Sequence, residues 1–414
     1  MAQGLANGVV FGGRMVIGDG ANLDPFSRLR TSNPVGQLDA QFTYDLQPLI
    51  FEQKTNGSGA AVTHDTTNRM ALMTFASTPT GGYAYMQSYE WFRYQAGRGQ
   101  LPIITFNFNG GVANVIKYAQ YGDENNAYGF RMNGTTPEFY ILSDTTNGDQ
   151  AVALSSANID KLDGSGASGA TLDVTKEQIL VIDFQALYVG RVRMGFDIGG
   201  QIVYCHEFDH ANSASYPYIQ NASLPIRVGM SCTGTVSTTM WFNCATVLSE
   251  GGADEITGYS HSIEGTGTAG NGTDVHILSV RPKTTFNSIA NRSKFVLESV
   301  ELLVTGNEPV AWSLVIGQAI SGTTTFNDVN ASYSAFEYNT VGTISGSPAL
   351  VIARGYVAAS NQTKSITSAK FSNKYPITLD VAGAVRALGT ISIIARGVSA
   401  TSAMRAILNW REIR

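Results

Sequence analysis

Short runs of aromatic and β-branched residues, separated by clusters of Gly, Asn and Asp, set the rhythm of this chain. Strands are predicted over 83–86, 101–108, 112–118, 128–132 and 139–142. A second series falls over 276–280, 295–304, 310–316, 335–338, 349–357, 377–381, 391–395 and 404–410. Eight runs in about 140 residues suit a sandwich or jelly roll. SVELLVTG followed by PVAWSLVIG predicts a hairpin turning at Asn307-Glu308. No long amphipathic helix is predicted; LSSANIDKL is at most one helical turn. The expected fold is all-β: two antiparallel β-sandwich or jelly-roll-like domains preceded by an extended N-terminal arm. The boundaries predicted are 1–40 for the arm, 41–258 for the first sandwich, 259–274 for a Gly-rich linker and 275–414 for the second sandwich.

The most strongly patterned stretch is Gln178 to Asn212. Gly199-Gly200 is a two-residue hairpin signal and sets a register: Ile198 opposite Gln201, Phe196 opposite Val203, Met194 opposite Cys205. One face then carries Val192, Met194, Phe196, Ile198, Val203 and Cys205, a core face by alternation. The other carries Arg191, Arg193, Gly195 and Asp197 opposite Phe208, His206, Tyr204 and Ile202. Arg191, Arg193, Tyr204, His206 and Phe208 make that face too amphipathic for open solvent. A second layer or subunit over it is the first expectation, and a ligand the second. Asp183 is a candidate ion-pair partner for Arg191 or Arg193.

The same stretch spells HEFDH, a match to HExxH. In zinc sites that spacing works on a helix, where residues i and i+4 share a face. On a strand, four residues span roughly 13 Å, too far for two imidazoles on one zinc. Gly265, Gly267 and Gly270 spell GxGxxG, but no hydrophobic strand precedes them and no helix follows. A glycosidase would need two carboxylates about 5–9.5 Å apart; Asp183, Asp197, Glu207 and Asp209 are close in sequence, but nothing pairs them. No catalytic residue, metal site or cofactor is expected.

Composition narrows the partners. The chain has 414 residues, 43% hydrophobic but only 14% charged, against about 25% charged in ordinary soluble domains. A net charge of -5 argues against nucleic acid and against a polybasic membrane surface. The glycine-broken N-terminus lacks a signal-peptide core, and no run approaches the roughly 20 apolar residues of a membrane span. Synthesis in a cytoplasm, without membrane insertion, is the expectation. Three cysteines without CxxC spacing predict buried reduced thiols. Tyrosines near loops (Tyr83, Tyr85, Tyr121, Tyr216, Tyr218) suit packing first, and subunit interfaces or stacking on sugars second.

One N-terminal segment carries a family likeness. Asp24-Pro25-Phe26-Ser27-Arg28-Leu29-Arg30-Thr31-Ser32-Asn33-Pro34 is a basic, proline-bounded peptide with two apolar anchors. It is similar to a D-x-F-x-R-L-R-x-S-N-P signature of tailed-bacteriophage virion structural proteins. The resemblance extends into IDFQALYVGRVRMGF, LPIRVGM and ILSVRPKTTFNSIANRSKFVLESVELLVTG. Pro25 and Ser27 depart from the alanine and glycine expected there. The resemblance implies a non-enzymatic virion component, a head decoration, fibre or tail-associated protein. Its arm would attach through Phe26, Arg28, Leu29 and Arg30. Its partners would be other virion proteins and further copies of itself, with a trimer as the expected state. Two alternatives stay open. The first sandwich resembles lectin folds, so the chain could be a module recognising host-surface glycan; a polysaccharide depolymerase is the second.

Overall fold

The structure is a computed structural model and describes residues 9–11, 14–16, 23–25, 29–30, 33–251, 258–359, 363–367 and 376–414. They fall into two compact units dividing at residues 254/255. Both are built almost wholly of antiparallel strands; the helical element among the described residues is one 3-10 turn, Leu154–Ser156.

The first unit is a sandwich of two sheets. One has seven strands in the order Gln150–Ala153, Thr136–Leu142, Ala127–Asn133, Val115–Gly122, Ile226–Cys232, Tyr83–Ser88, Phe51–Asn56. The other has eight: Gln201–Phe208, Val192–Ile198, Gln178–Phe184, Gln100–Asn107, Val236–Ser249, Met70–Thr78 and Ala60–Asp65, with Val35–Gln41 also paired to Val236–Ser249. The predicted arm therefore ends early: Val35–Gln41 alternates polar and buried positions and belongs to the sheet. Inner faces meet through aromatics. Phe130 and Phe196 pack edge to face with centroids 5.0 Å apart, and Tyr128 lies 4.7 Å from Phe184. Such ring pairs add about 0.5–1.5 kcal/mol beyond the area they bury. One charged group sits inside this layer. Lys117 donates to the carbonyls of Phe108, Gly110 and Thr239, linking its own sheet to the other.

In the second unit, Tyr259–Asn271, Ser402–Ile413, Lys294–Val304 and Thr363–Thr367 form one antiparallel ladder. Phe336–Asn339, Val275–Pro282, Ile391–Gly397, Val310–Ile316 and Leu350–Val357 form another. Parallel pairing of Gly270–Asn271 with Arg396–Gly397 joins the two. Trp312, Trp410, Phe295 and Phe336 lie in the core between them.

Three expectations for this half are overturned. The strands on either side of Asn307-Glu308 do not pair; each is taken by a different ladder. The run at 377–381 makes only an isolated bridge, Leu379 to Val385. Most clearly, the Gly-rich segment 259–274 is no linker. Residues Tyr259–Asn271 form a 13-residue strand paired along most of its length with Ser402–Glu412. The glycines are there for closeness. A Cβ at Gly265 would stand 2.5 Å from the Ile277 carbonyl oxygen, and one at Gly267 would stand 2.7 Å from Ile277 Cδ1. The strand therefore runs tight against Val275–Pro282, where side chains would hold it off. Gly265→Val should lower the stability of this unit by about 1–3 kcal/mol, the cost of overpacking a tight site. Thermal unfolding checks this; an unchanged melting temperature would be the behaviour of a linker.

Candidate functional site

The hairpin forms as its turn residues demand. Gly199 and Gly200 both take positive φ, 62° and 84°, the backbone a two-residue turn needs. Pairing follows the predicted register from Ile198–Gln201 to Gly195–Tyr204. There it slips: Met194 pairs with His206, Arg193 with Glu207 and Val192 with Phe208, leaving Cys205 as the extra residue of a bulge. Gly195 permits the crowding, since a Cβ there would meet the Val203 carbonyl oxygen at 2.1 Å.

The bulge re-sorts the five residues predicted to share one face. Arg191, Arg193 and Tyr204 stay together on the outer side of the sheet. His206 and Phe208 turn inward, opposite Met194 and Val192, and Phe208 joins the core. His206 packs edge-on against Phe208, with Nδ1 accepting from the Asn158 backbone N–H. Burial lowers its pKa, so the ring is neutral near pH 7. The second histidine of the HEFDH string, His210, stacks on Tyr218 and contacts the Gly190 carbonyl and Gln150.

Around Asp183 this outer face meets Leu23, Pro25 and Arg30 of the chain's own N-terminal segment. Asp183, fully buried, receives three bonds on one oxygen: Arg30 at 2.5 Å, Arg193 at 2.7 Å and the Tyr204 hydroxyl at 2.5 Å. Arg30 also reaches Glu250 at 2.6 Å. Burial pushes the Glu250 carboxyl up, and Arg30 pulls it back part of the way. The Arg193 guanidinium lies 4.3 Å over the Tyr204 ring and donates to the Leu23 carbonyl; Arg191 donates to that of Pro25. Arg30 thus adds a second guanidinium to the buried Asp183 and pairs with Glu250, which makes this buried cluster tolerable. Of the predicted arm residues, Arg30 is committed here and Leu29 is half exposed, while Phe26 and Arg28 lie outside the described residues.

The opposite outer face, on the seven-stranded sheet, stays open. A groove of about 350 Å³ runs across five strands there. Alternation sends Val115, Ala119, Phe130, Phe139, Ile141, Val228 and Met230 inward. The intervening residues line the groove: Tyr83 and Tyr85, then Ile116, Tyr118 and Gln120, then Arg131, Tyr140 and Leu142, and finally Arg227 and Ser231, with Glu124 at the turn. Gly129 and Gly229 keep this bed low. A Cβ at Gly229 would stand 2.2 Å from Tyr85 Cβ, and one at Gly129 would stand 2.8 Å from the Tyr140 hydroxyl. Rings can therefore lie across the strands. Arg131 lies 4.7 Å over the Tyr140 ring and bonds Glu138 at 2.9 Å; Arg227 lies 4.0 Å over Tyr85. Tyr140 donates to Gln120. Burial pushes the Tyr85 hydroxyl up to about 12 and raises that of Tyr118, so both remain protonated donors.

Tyr83 and Tyr85 were visible in the sequence as loop-near tyrosines; the arginines were not. Tyr121 and Tyr218 are in the core and Tyr216 is exposed. Among the described residues, no cluster of three or more His, Cys, Asp or Glu could hold a metal ion, and no helix is long and apolar enough to cross a membrane.

No protein-family model matches the chain, and no curated protein matches it. Among solved structures it shows a partial likeness to the carbohydrate esterase of the Shiga toxin-encoding bacteriophage phi24B: 11% identity and TM-score 0.34, covering 53% of this chain and 100% of that chain. The legume lectin-like domain from Entamoeba histolytica gives 11% identity and TM-score 0.31, with 52% and 98% covered. A glycosyl hydrolase family protein from Mycobacterium fortuitum gives 12% and 0.34, with 52% and 99% covered.

Arg193→Ala removes one partner from a buried ion pair and should cost about 3–5 kcal/mol in urea unfolding. Arg30→Ala should cost less but should expose the arm, so limited proteolysis should cut within residues 23–33 faster than in the wild type. An unchanged cleavage rate would mean that Arg30 does not hold the arm.

Proposed function

We propose that this chain is a carbohydrate-binding protein whose saccharide site is the groove of the seven-stranded sheet. The observation that carries the reading is the lining itself: four tyrosines and two arginines on a glycine-flattened bed, with Tyr83, Tyr118 and Arg131 partly exposed and Tyr85, Tyr140 and Arg227 forming its buried floor. A sugar ring has apolar C–H faces and an equatorial fringe of hydroxyls. Tyrosine matches both, with a ring for the face and a hydroxyl for the fringe. Arg131 with Glu138, and Gln120 with Tyr140, add fixed donors and acceptors that orient a bound ring. The volume, about 350 Å³, is at the lower end of the roughly 300–1,000 Å³ range of small-molecule sites, which suits one or two sugar units.

The likeness of residues 24–34 to a tailed-phage virion signature supplies the setting: a host-recognition component of a virion, among other virion proteins and copies of itself. The groove supports saccharide binding whether or not that setting holds, and it supports binding more directly than catalysis.

Glycan-array screening followed by calorimetry tests the reading. Tyr118→Ala should weaken binding about tenfold, the loss of roughly 1–1.5 kcal/mol from one stacking ring, with the thermal unfolding curve retained. Failure of folded wild-type protein to bind any saccharide at millimolar concentration would contradict the assignment. Release of fragments from a bound polysaccharide would replace binding with depolymerisation.

A further inference from the structure

The groove contains one charge whose partner is poorly matched. Arg227 is 7% exposed, sandwiched against Tyr85 with its guanidinium 4.0 Å from the ring centroid. Its Nε and Nη1 are buried and have no hydrogen-bond acceptor. Tyr118 accepts one side-chain hydrogen bond from the guanidinium, whose Cζ lies 5.9 Å from that ring's centroid. The carboxylate facing it, Glu124, stands 3.6 Å from Nη1, beyond bonding distance, with a side chain 70% exposed. Arg131, by contrast, has a closed pair with Glu138 at 2.9 Å.

Buried N–H groups left without an acceptor are costly, and the planar fork of arginine fits a carboxylate with two parallel bonds. Glu124 is positioned to compensate the charge of Arg227 but not to satisfy its donors. Being on a turn and mostly in water, it is cheap to displace. We propose that the groove selects acidic saccharides: the carboxylate of a uronic or sialic acid unit takes the place of Glu124 on Arg227 while a sugar ring lies against Tyr118. This rests on the saccharide reading of the groove and adds the class of sugar. Replacement of one anion by another keeps the groove charge balanced, so the exchange does not require the sheet to rearrange. A neutral sugar has no group that can do the same for Arg227.

The test is calorimetry with two matched ligand series: galacturonic acid oligomers and sialyllactose, and their carboxyl-reduced counterparts. Acidic ligands should bind the wild type at least about tenfold more tightly than the reduced ones, the worth of one charge-assisted pair. Glu124→Gln should raise affinity for the acidic series about threefold by removing the competing carboxylate. Arg227→Lys, which keeps the charge but loses the fork, should erase most of the acidic preference; its unfolding curve reports whether the fold survives. Equal binding of acidic and reduced ligands, or weaker acidic binding in Glu124→Gln, would overturn the acidic preference and leave the saccharide reading standing. Binding of neither series by folded protein would overturn both.

Discussion

A carboxylate with no access to water must be answered where it sits, and Asp183 is answered from outside its own sheet. Its neighbours on the hairpin, Arg193 and Tyr204, provide one cation and one hydroxyl. The second cation, Arg30, comes from a segment more than 150 residues away in sequence. Without it, a face carrying Arg193, Tyr204 and Glu250 would be left with buried charge only partly matched. Leu23, Pro25 and Arg30 thus pack on the first sandwich, covering the part of the eight-stranded sheet around Asp183. Gly99 marks the closeness of this contact: a Cβ there would meet Glu250 Oε2 at 2.6 Å and Pro25 Cδ at 3.1 Å.

That cover leaves the two outer faces of the sandwich unequal. A sandwich uses its two inner faces for the core, and its outer faces are ordinarily polar. Here one outer face carries a buried ion network around Asp183, partly covered by the N-terminal segment, and the other carries aromatic rings along a groove. The contrast is what gives the groove functional weight: of its four rings, Tyr83 and Tyr118 stay partly exposed above the buried Tyr85 and Tyr140. The same strand holds both layers in place. Val115–Gly122 sends Tyr118 and Gln120 to the groove and Lys117, with its three carbonyl acceptors, to the core.

Much of the architecture was legible in the sequence because β-structure announces itself locally. Gly199-Gly200 located the turn and most of the register, and Val310–Ile316 was predicted to the residue. Failures came where a residue serves a contact far away in sequence. The glycines at 265 and 267 have the composition of a linker, yet they are small because a neighbouring strand passes over them. The bulge at Cys205 is invisible to alternation, so His206 and Phe208 were placed on the wrong face. The groove was hidden for a related reason. Strands such as VIKYAQYG have apolar or aromatic residues on both faces and a lysine on the inner one. No periodicity says which tyrosines are core and which are exposed. Arg131 and Arg227 gain meaning only when sheet order brings their strands together.

The central claim is that the ligand face is the groove, not the arm-covered hairpin. Amide hydrogen exchange with and without a saturating acidic oligosaccharide tests it most directly. The account predicts added protection confined to Val115–Gly122, Ala127–Asn133, Ile226–Cys232 and the turn at 123–126. Protection appearing instead over Val192–Ile198 and Gln201–Phe208 would contradict it.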